Sequence, residues 1–142
     1  MSELFYLVYV SSAVRLLENS ELLDILNKSR KNNGALGITG MLLYKGGNFM
    51  QAIEGPKENI IALQDKIGRD PRHRNIMSLI QGMQTDRQFK EWSMGFENLD
   101  SPEAVKVPGY TAFLDSSFVS GEFRQNPGKA LKLLRMFAEK MR

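Results

Sequence analysis

Apolar positions along this chain recur with two different periods, and the changes of period mark out its elements. Residues 4–10, Leu-Phe-Tyr-Leu-Val-Tyr-Val, form an apolar run too short for a typical helix and rich in β-formers, which predicts a strand. Both of its faces are apolar, with Phe5, Leu7 and Tyr9 on one side and Leu4, Tyr6, Val8 and Val10 on the other, so it is expected at the centre of a sheet covered on both sides. After a polar linker the period becomes helical. Asn19 or Ser20 is the expected cap, Glu21 stands in the first turn, and Leu22, Ile25, Leu26 and Ser29 follow the i, i+3, i+4, i+7 stripe of a helix running to about Lys31. Asn32 and Asn33 then stand at the expected helix end, before Gly34.

Residues 37–55 read as two strands joined at Lys45-Gly46-Gly47-Asn48, where paired glycines supply the positive φ of a short hairpin. One residue breaks the pattern. Gln51 points the same way as Phe49 and Ile53, which places a primary amide on an apolar surface, and a buried amide requires hydrogen-bond partners. Pro56 sits at the start of a second helix, where its missing N–H costs nothing, and Ile60, Leu63, Gln64 and Ile67 form the inner stripe up to Gly68. The loop Arg69-Asp70-Pro71-Arg72-His73-Arg74 follows. Two more strands are predicted at 75–84 and 92–98, separated by a polar stretch, with Trp92, Met94 and Phe96 sharing a face.

Strand, helix, strand, strand, helix, strand, strand is the ferredoxin-like βαββαβ unit with one strand added, an α+β fold whose two helices pack on one face of the sheet. From Asp100 the character changes. Pro102, Pro108 and Pro127 divide the tail into short pieces before a last helix at about 127–141, in which Ala130, Leu133, Leu134, Phe137 and Met141 oppose Lys129, Lys132, Arg135 and Lys140. This helix is expected to cover the sheet face that the first two leave bare. The division is therefore a domain at 1–98 and a C-terminal helical extension at 99–142.

Composition narrows the function more than it names one. At 142 residues, with 42% hydrophobic and 25% charged, the chain fits one ordinary globular domain, without an apolar stretch of membrane-spanning length or a signal-peptide pattern. A cytoplasmic location is the simplest expectation. With no cysteine and one histidine, the expectation is that it holds no metal. A net charge of +3, from 19 basic against 16 acidic residues, argues for no nucleic-acid surface. Gly-x-Ser-x-Gly, the P-loop, Gly-x-Gly-x-x-Gly and metal-spaced carboxylates are all absent, so hydrolase and dehydrogenase readings lack support.

Polar and aromatic residues instead gather on inward faces: Tyr9, Ser29, Asn32, Asn33, Gln51, Trp92 and Met94. Each alone has a plain explanation. Tyr9 suits a core tyrosine with its hydroxyl at the surface, the asparagines suit a helix end, and Trp92 with Met94 suits ordinary core. The basic loop is either solvated surface or a phosphate-binding cluster, since Arg and His⁺ pair well with phosphate oxygens.

Five motifs resemble the BLUF family, the blue-light sensors that use FAD, in the family's order and spacing over about residues 3–98. They are Tyr9 in Leu-Val-Tyr-Val-Ser-Ser; Arg30-Lys31-Asn32-Asn33 leading into Gly37-Ile38-Thr39-Gly40; Phe49-Met50-Gln51-Ala52-Ile53-Glu54-Gly55; Asp70-Pro71-Arg72-His73; and Trp92-Ser93-Met94. The resemblance implies a flavin ring between the two helices, with Ile25 and Ile67 as apolar walls, Asn32 and Asn33 at its polar edge and Ser29 close by. Lys66, Asp70, Arg72 and His73 would border the ribityl and phosphate part of FAD, with FMN and riboflavin left open. It further implies photochemistry through Tyr9 and Gln51, with Trp92 and Met94 relaying the change. Val10 after the tyrosine and Met50 and Ala52 around the glutamine depart from the family's usual pattern without touching either proposed role.

On this reading the chain is a non-enzymatic receptor that signals to a downstream effector or regulator protein, or through its own homo-oligomer, since residues after 98 leave no room for a cyclase or phosphodiesterase. The rival is a light-independent ferredoxin-like enzyme or anion-binding module built on Arg69, Arg72 and His73. No nucleophile or general base accompanies those residues.

Overall fold

The computed structural model describes residues 4–14, 17–71, 73–89, 94–99 and 125–140, and of 19, 73, 97, 98 and 137–140 the backbone only. Its elements are β1 (Leu4–Ala13), α1 (Asn19–Leu36), β2 (Thr39–Lys45), β3 (Asn48–Pro56), α2 (Lys57–Gly68), β4 (His73–Gln84), β5 (Gly95–Asn98) and α3 (Pro127–Lys140). The sheet order is β4-β1-β3-β2-β5. β1 runs antiparallel to both of its neighbours, β3 and β4, and β2 runs antiparallel to β3 but parallel to β5. This is the ferredoxin-like arrangement with an added strand, and β1 is internal, as its two apolar faces require.

The β2–β3 hairpin turns at Gly46 and Gly47, with φ of 55° and 82°. Two consecutive positive φ values match the right-handed twist of the flanking strands, and glycine adopts them without strain.

Alternate residues of β1 and β3 feed two cores. Phe5, Leu7, Tyr9 and Ile53 pack with Leu22 and Leu26 of α1 and Ile60 of α2. Val8, Val10, Met50 and Ala52 pack with Ala130, Leu133 and Leu134 of α3 and with Phe89 from the β4–β5 connection. The last helix thus covers the face opposite α1 and α2. Phe137 and Met141 of its expected stripe lie outside the described side chains.

Local boundaries depart from the sequence expectation in four places, one of them β5, which begins at Gly95 rather than at residue 92, so that Met94 lies just before the strand. The residue capping α1 is Glu18, not Asn19 or Ser20, and the Glu21 carboxylate accepts the Glu18 backbone N–H at 3.1 Å. A glutamate in the first turn can reach back to the cap in this way, so the helix starts one residue earlier than a Ser/Asn rule places it. The same helix does not end near Lys31 but continues through Gly34 to Leu36. It stops at Gly37, which has φ 68°, and the Asn33 carbonyl accepts the Ile38 N–H at 2.9 Å. Gly34 is tolerated inside the helix at a cost of about 1 kcal/mol against alanine, while Gly37 supplies the left-handed residue that ends it. Asn32 and Asn33 are therefore helical. β4 begins at His73, before residue 75, where a register shift against Val10 and Ser12 and a positive φ of 56° at Asn75 form an irregular start.

Among the described residues no helix is long and apolar enough to cross a membrane, and no cluster of His, Asp and Glu could hold a metal ion.

Candidate functional site

Strand register sets the centre of the site. Tyr9 of β1 and Gln51 of β3 are directly paired, so their side chains leave the sheet side by side on the face toward α1 and α2. The Tyr9 hydroxyl donates to Gln51 Oε1, and Gln51 Nε2 donates to Met94 Sδ at 3.3 Å. All three side chains are buried. The amide therefore spans the space between a phenol and a thioether, which answers the demand its burial creates. Met94 is held from a second side, because Arg30 Nε of α1 donates to its backbone carbonyl at 3.0 Å.

Tyr9 and Gln51 stand in the wall of a cavity of about 220 Å³ between α1 and α2. From α1 it is lined by Ile25, Ser29, Asn32 and Asn33, from α2 by Leu63, Lys66 and Ile67, and Asp70 closes one side. Of the eleven residues singled out from the sequence for cofactor contact, nine thus meet at one cavity. Arg72 and the His73 side chain lie outside the described residues, as does Trp92. Arg69 lies elsewhere: its guanidinium pairs with Asp65 at 2.9 Å along its own helix, both largely exposed.

Sequence reasoning missed Ser11, Lys28, Leu42 and Phe49 as lining residues, placed Leu63 only on the inner stripe of its helix, and missed Arg30 as a tether. Ser11 and Phe49 were within reach of the alternation argument, since they share a face with Tyr9 and Gln51 respectively. Arg30 carried no such signal, because its partner is a backbone carbonyl 64 residues away.

Burial holds the Tyr9 phenol well above the ordinary tyrosine range, and the Asp70 carboxylate adds to the effect. Tyr9 is therefore a neutral O–H donor at any pH near 7.

A family model described as sensors of blue-light using FAD matches residues 4–95. The chain belongs to the BLUF family. Among its relatives, the photoactivated adenylate cyclase subunit beta of Euglena longa is 36% identical over 94 residues, which are 66% of this chain and 11% of that protein. The dark-state structure of BlrB, a BLUF protein, superposes with a TM-score of 0.79 at 34% identity, covering 99% of this chain and 98% of that one. The structure of a bacterial light-regulated adenylyl cyclase gives 0.76 at 31% identity over 93% of this chain and 39% of that one. This BLUF chain spans about a tenth of the length of the curated cyclase subunits it matches.

The residues present fit the family's cofactor. A flat ring with one polar edge needs apolar surfaces above and below and amides in its plane, and the cavity offers Ile25 on one helix, Leu63 and Ile67 on the other, and the amides of Asn32, Asn33 and Gln51. Lys28 and Lys66 add cations for an anionic tail.

Proposed function

We propose that this BLUF chain is a blue-light receptor in which FAD occupies the cavity between α1 and α2 and Gln51 is the switch. The observation that carries this reading is the buried chain of contacts from the Tyr9 hydroxyl to Gln51 Oε1 and from Gln51 Nε2 to Met94 Sδ in the cavity wall. Bound FAD supplies the absorption of blue light and an excited ring able to accept an electron. Tyr9 would give that electron together with its Oη proton, which stands against Gln51 Oε1, and would take both back, so that the net change is confined to the Gln51 hydrogen bonds. Gln51 has two satisfied arrangements, because an amide carries both donors and acceptors. Rotation or tautomerisation of its side chain exchanges what Met94 Sδ meets, from an N–H donor to an acceptor or a changed donor. A difference of about 0.5 to 1.5 kcal/mol in such a contact is enough to bias a neighbour with two positions. Met94 immediately precedes β5, so it is the first group outside the cavity to respond.

Ile25 and Ile67 would serve as walls, Asn32, Asn33 and Ser29 as polar contacts, and Lys66 and Asp70 as borders of the ribityl and phosphate part, with Arg72 and His73 completing that border and Trp92 joining Met94 in the relay. Residues 1–98 then form the sensory unit and 99–142 the extension that hands the change to a partner protein or a second copy, with no turnover by the chain itself. The light-independent alternative is disfavoured by Arg69, which pairs with Asp65 at the surface and does not line the cavity.

An absorption spectrum of the purified protein under blue light tests the reading. Bound FAD with a reversible red shift is the expected result, lost in Tyr9→Phe and Gln51→Leu. A protein that stays colourless after reconstitution with FAD would sink it.

A further inference from the structure

Met94 is held by two elements that are far apart in the chain. Gln51 of β3 donates from Nε2 to its Sδ at 3.3 Å, and Arg30 of α1 donates from Nε to its backbone carbonyl at 3.0 Å. The next residue, Gly95, is already in register with Met41 of β2. Met94 itself is 1% exposed and packs in the core on the cavity side of the sheet.

These contacts differ in what they can fix. Burial favours a methionine in the core but is non-directional, so it does not choose which atom of a side chain with three rotatable bonds faces the amide. A thioether is a weak acceptor, and even an ordinary neutral hydrogen bond biases an equilibrium by only about tenfold, which the ordering of the methionine side chain offsets. The Gln51 contact alone therefore does not keep Sδ in place. A guanidinium N–H on a carbonyl is charge-assisted and stronger, and it acts on the backbone, which fixes where the side chain starts. Arg30 is an exposed residue next to Ser29 on α1 and does not itself line the cavity. Its effect on the amide passes through Met94.

We propose that Arg30 is a positioning residue for the Gln51 switch: by fixing the Met94 backbone from α1 it keeps Sδ opposite the amide and so favours the dark arrangement of Gln51 over the lit one. This rests on the light-sensor reading for the two arrangements and goes beyond it in naming what sets their balance. The sign follows from the thioether. Methionine sulfur accepts and cannot donate, so it is matched while Nε2–H faces it and mismatched once the exchange at Gln51 puts an acceptor there. A Met94 held at its backbone cannot withdraw, and the mismatch returns Gln51 to its first arrangement. A Met94 released from Arg30 withdraws, and the lit arrangement lasts longer.

The test uses the full-length protein loaded with FAD, as wild type, Arg30→Leu, Arg30→Lys and Lys31→Leu, the last removing an exposed charge one residue along the same helix. Two quantities are read: the rate of thermal return after blue light and, in darkness, the isotope-labelled methyl NMR signal of Met94, assigned with Met94→Leu. Arg30→Leu should bind FAD and keep the red shift, return at least about threefold more slowly than wild type, and show a shifted or broadened Met94 signal. Arg30→Lys, which keeps a cationic donor, should recover part of the wild-type rate. Lys31→Leu should match wild type in both readings. Should Arg30→Leu fail to fold, Arg30→Ala, with the best helix former at that site, is read in the same way. A smaller slowing or a faster return overturns the proposal. So does a slower return with the Met94 signal unchanged, or equal slowing in Lys31→Leu. A wild type without flavin or without a shift fails the light-sensor reading instead, and the dark Met94 signal of Arg30→Leu against wild type still decides whether Arg30 holds that residue.

Discussion

Val8, Val10, Met50 and Ala52 stand on one face of the sheet, and Tyr9, Ser11, Gln51 and Ile53 on the other, one residue out of step on the same two strands. The first face meets α3 through aliphatic contacts and is closed. The second meets α1 and α2 across a cavity and carries buried polar groups. A period of two lets one strand pair serve both, so that packing is concentrated where no chemistry occurs and polar groups are gathered where a ligand can satisfy them. Glu54 is the exception, a polar group on the packed side at the sheet's end, satisfied entirely by the chain.

If the faces divide the work in this way, substitutions on them should fail differently. The largest stability effect is expected on the packed face. Leu133→Ala should cost about 2–5 kcal/mol in chemical denaturation of the flavin-loaded protein, with the light-induced spectral shift unchanged. Loss of the shift together with stability would break the comparison. On the open face Gln51→Leu should abolish the shift while costing only about 1–3 kcal/mol, because it leaves the Tyr9 hydroxyl buried without its acceptor. Tyr9→Phe should abolish it at a smaller stability cost.

A third difference lies in alkali. Burial raises the Tyr9 phenol in the folded protein, while in the unfolded chain it ionises near the ordinary value of about 10. Above about pH 10 the unfolded chain therefore binds fewer protons than the folded one. The contribution of Tyr9 is fully present below that pH and is lost as pH rises beyond it. Denaturation midpoints of wild type and Tyr9→Phe should keep a constant gap from about pH 7 to 9 and converge above about 10. A gap independent of pH would show a phenol in contact with solvent. The smallest effect belongs to neither face: Arg69→Ala removes an exposed pair and should change stability by about 0.5 kcal/mol or less and leave FAD affinity unaltered in a titration. A large fall in affinity would place Arg69 among the residues that hold the cofactor.

The sequence by itself determined what depends on near neighbours. Period two and period 3.6 located the strands and helices, paired glycines located the hairpin, and the double apolar faces of β1 and the stripe of the last helix required a covered sheet. Face parity also singled out Gln51, and helical spacing put Ile25 and Ile67 on inner stripes, because such placement follows from a residue's own element; their part as walls of a site was implied only by the family resemblance. Tertiary structure alone decided which of these meet. Tyr9 and Gln51 lie 42 residues apart and are neighbours only because β1 pairs with β3 in that register. The end of α1 moved to Gly37 because a left-handed residue, rather than the first glycine, stops a helix. Glu54 gave no sign of itself, an acid before a glycine at a strand end, which alone suggests solvent. Its four donors come from residues 39, 84, 88 and 89, and only the closed sheet brings them within reach of one carboxylate.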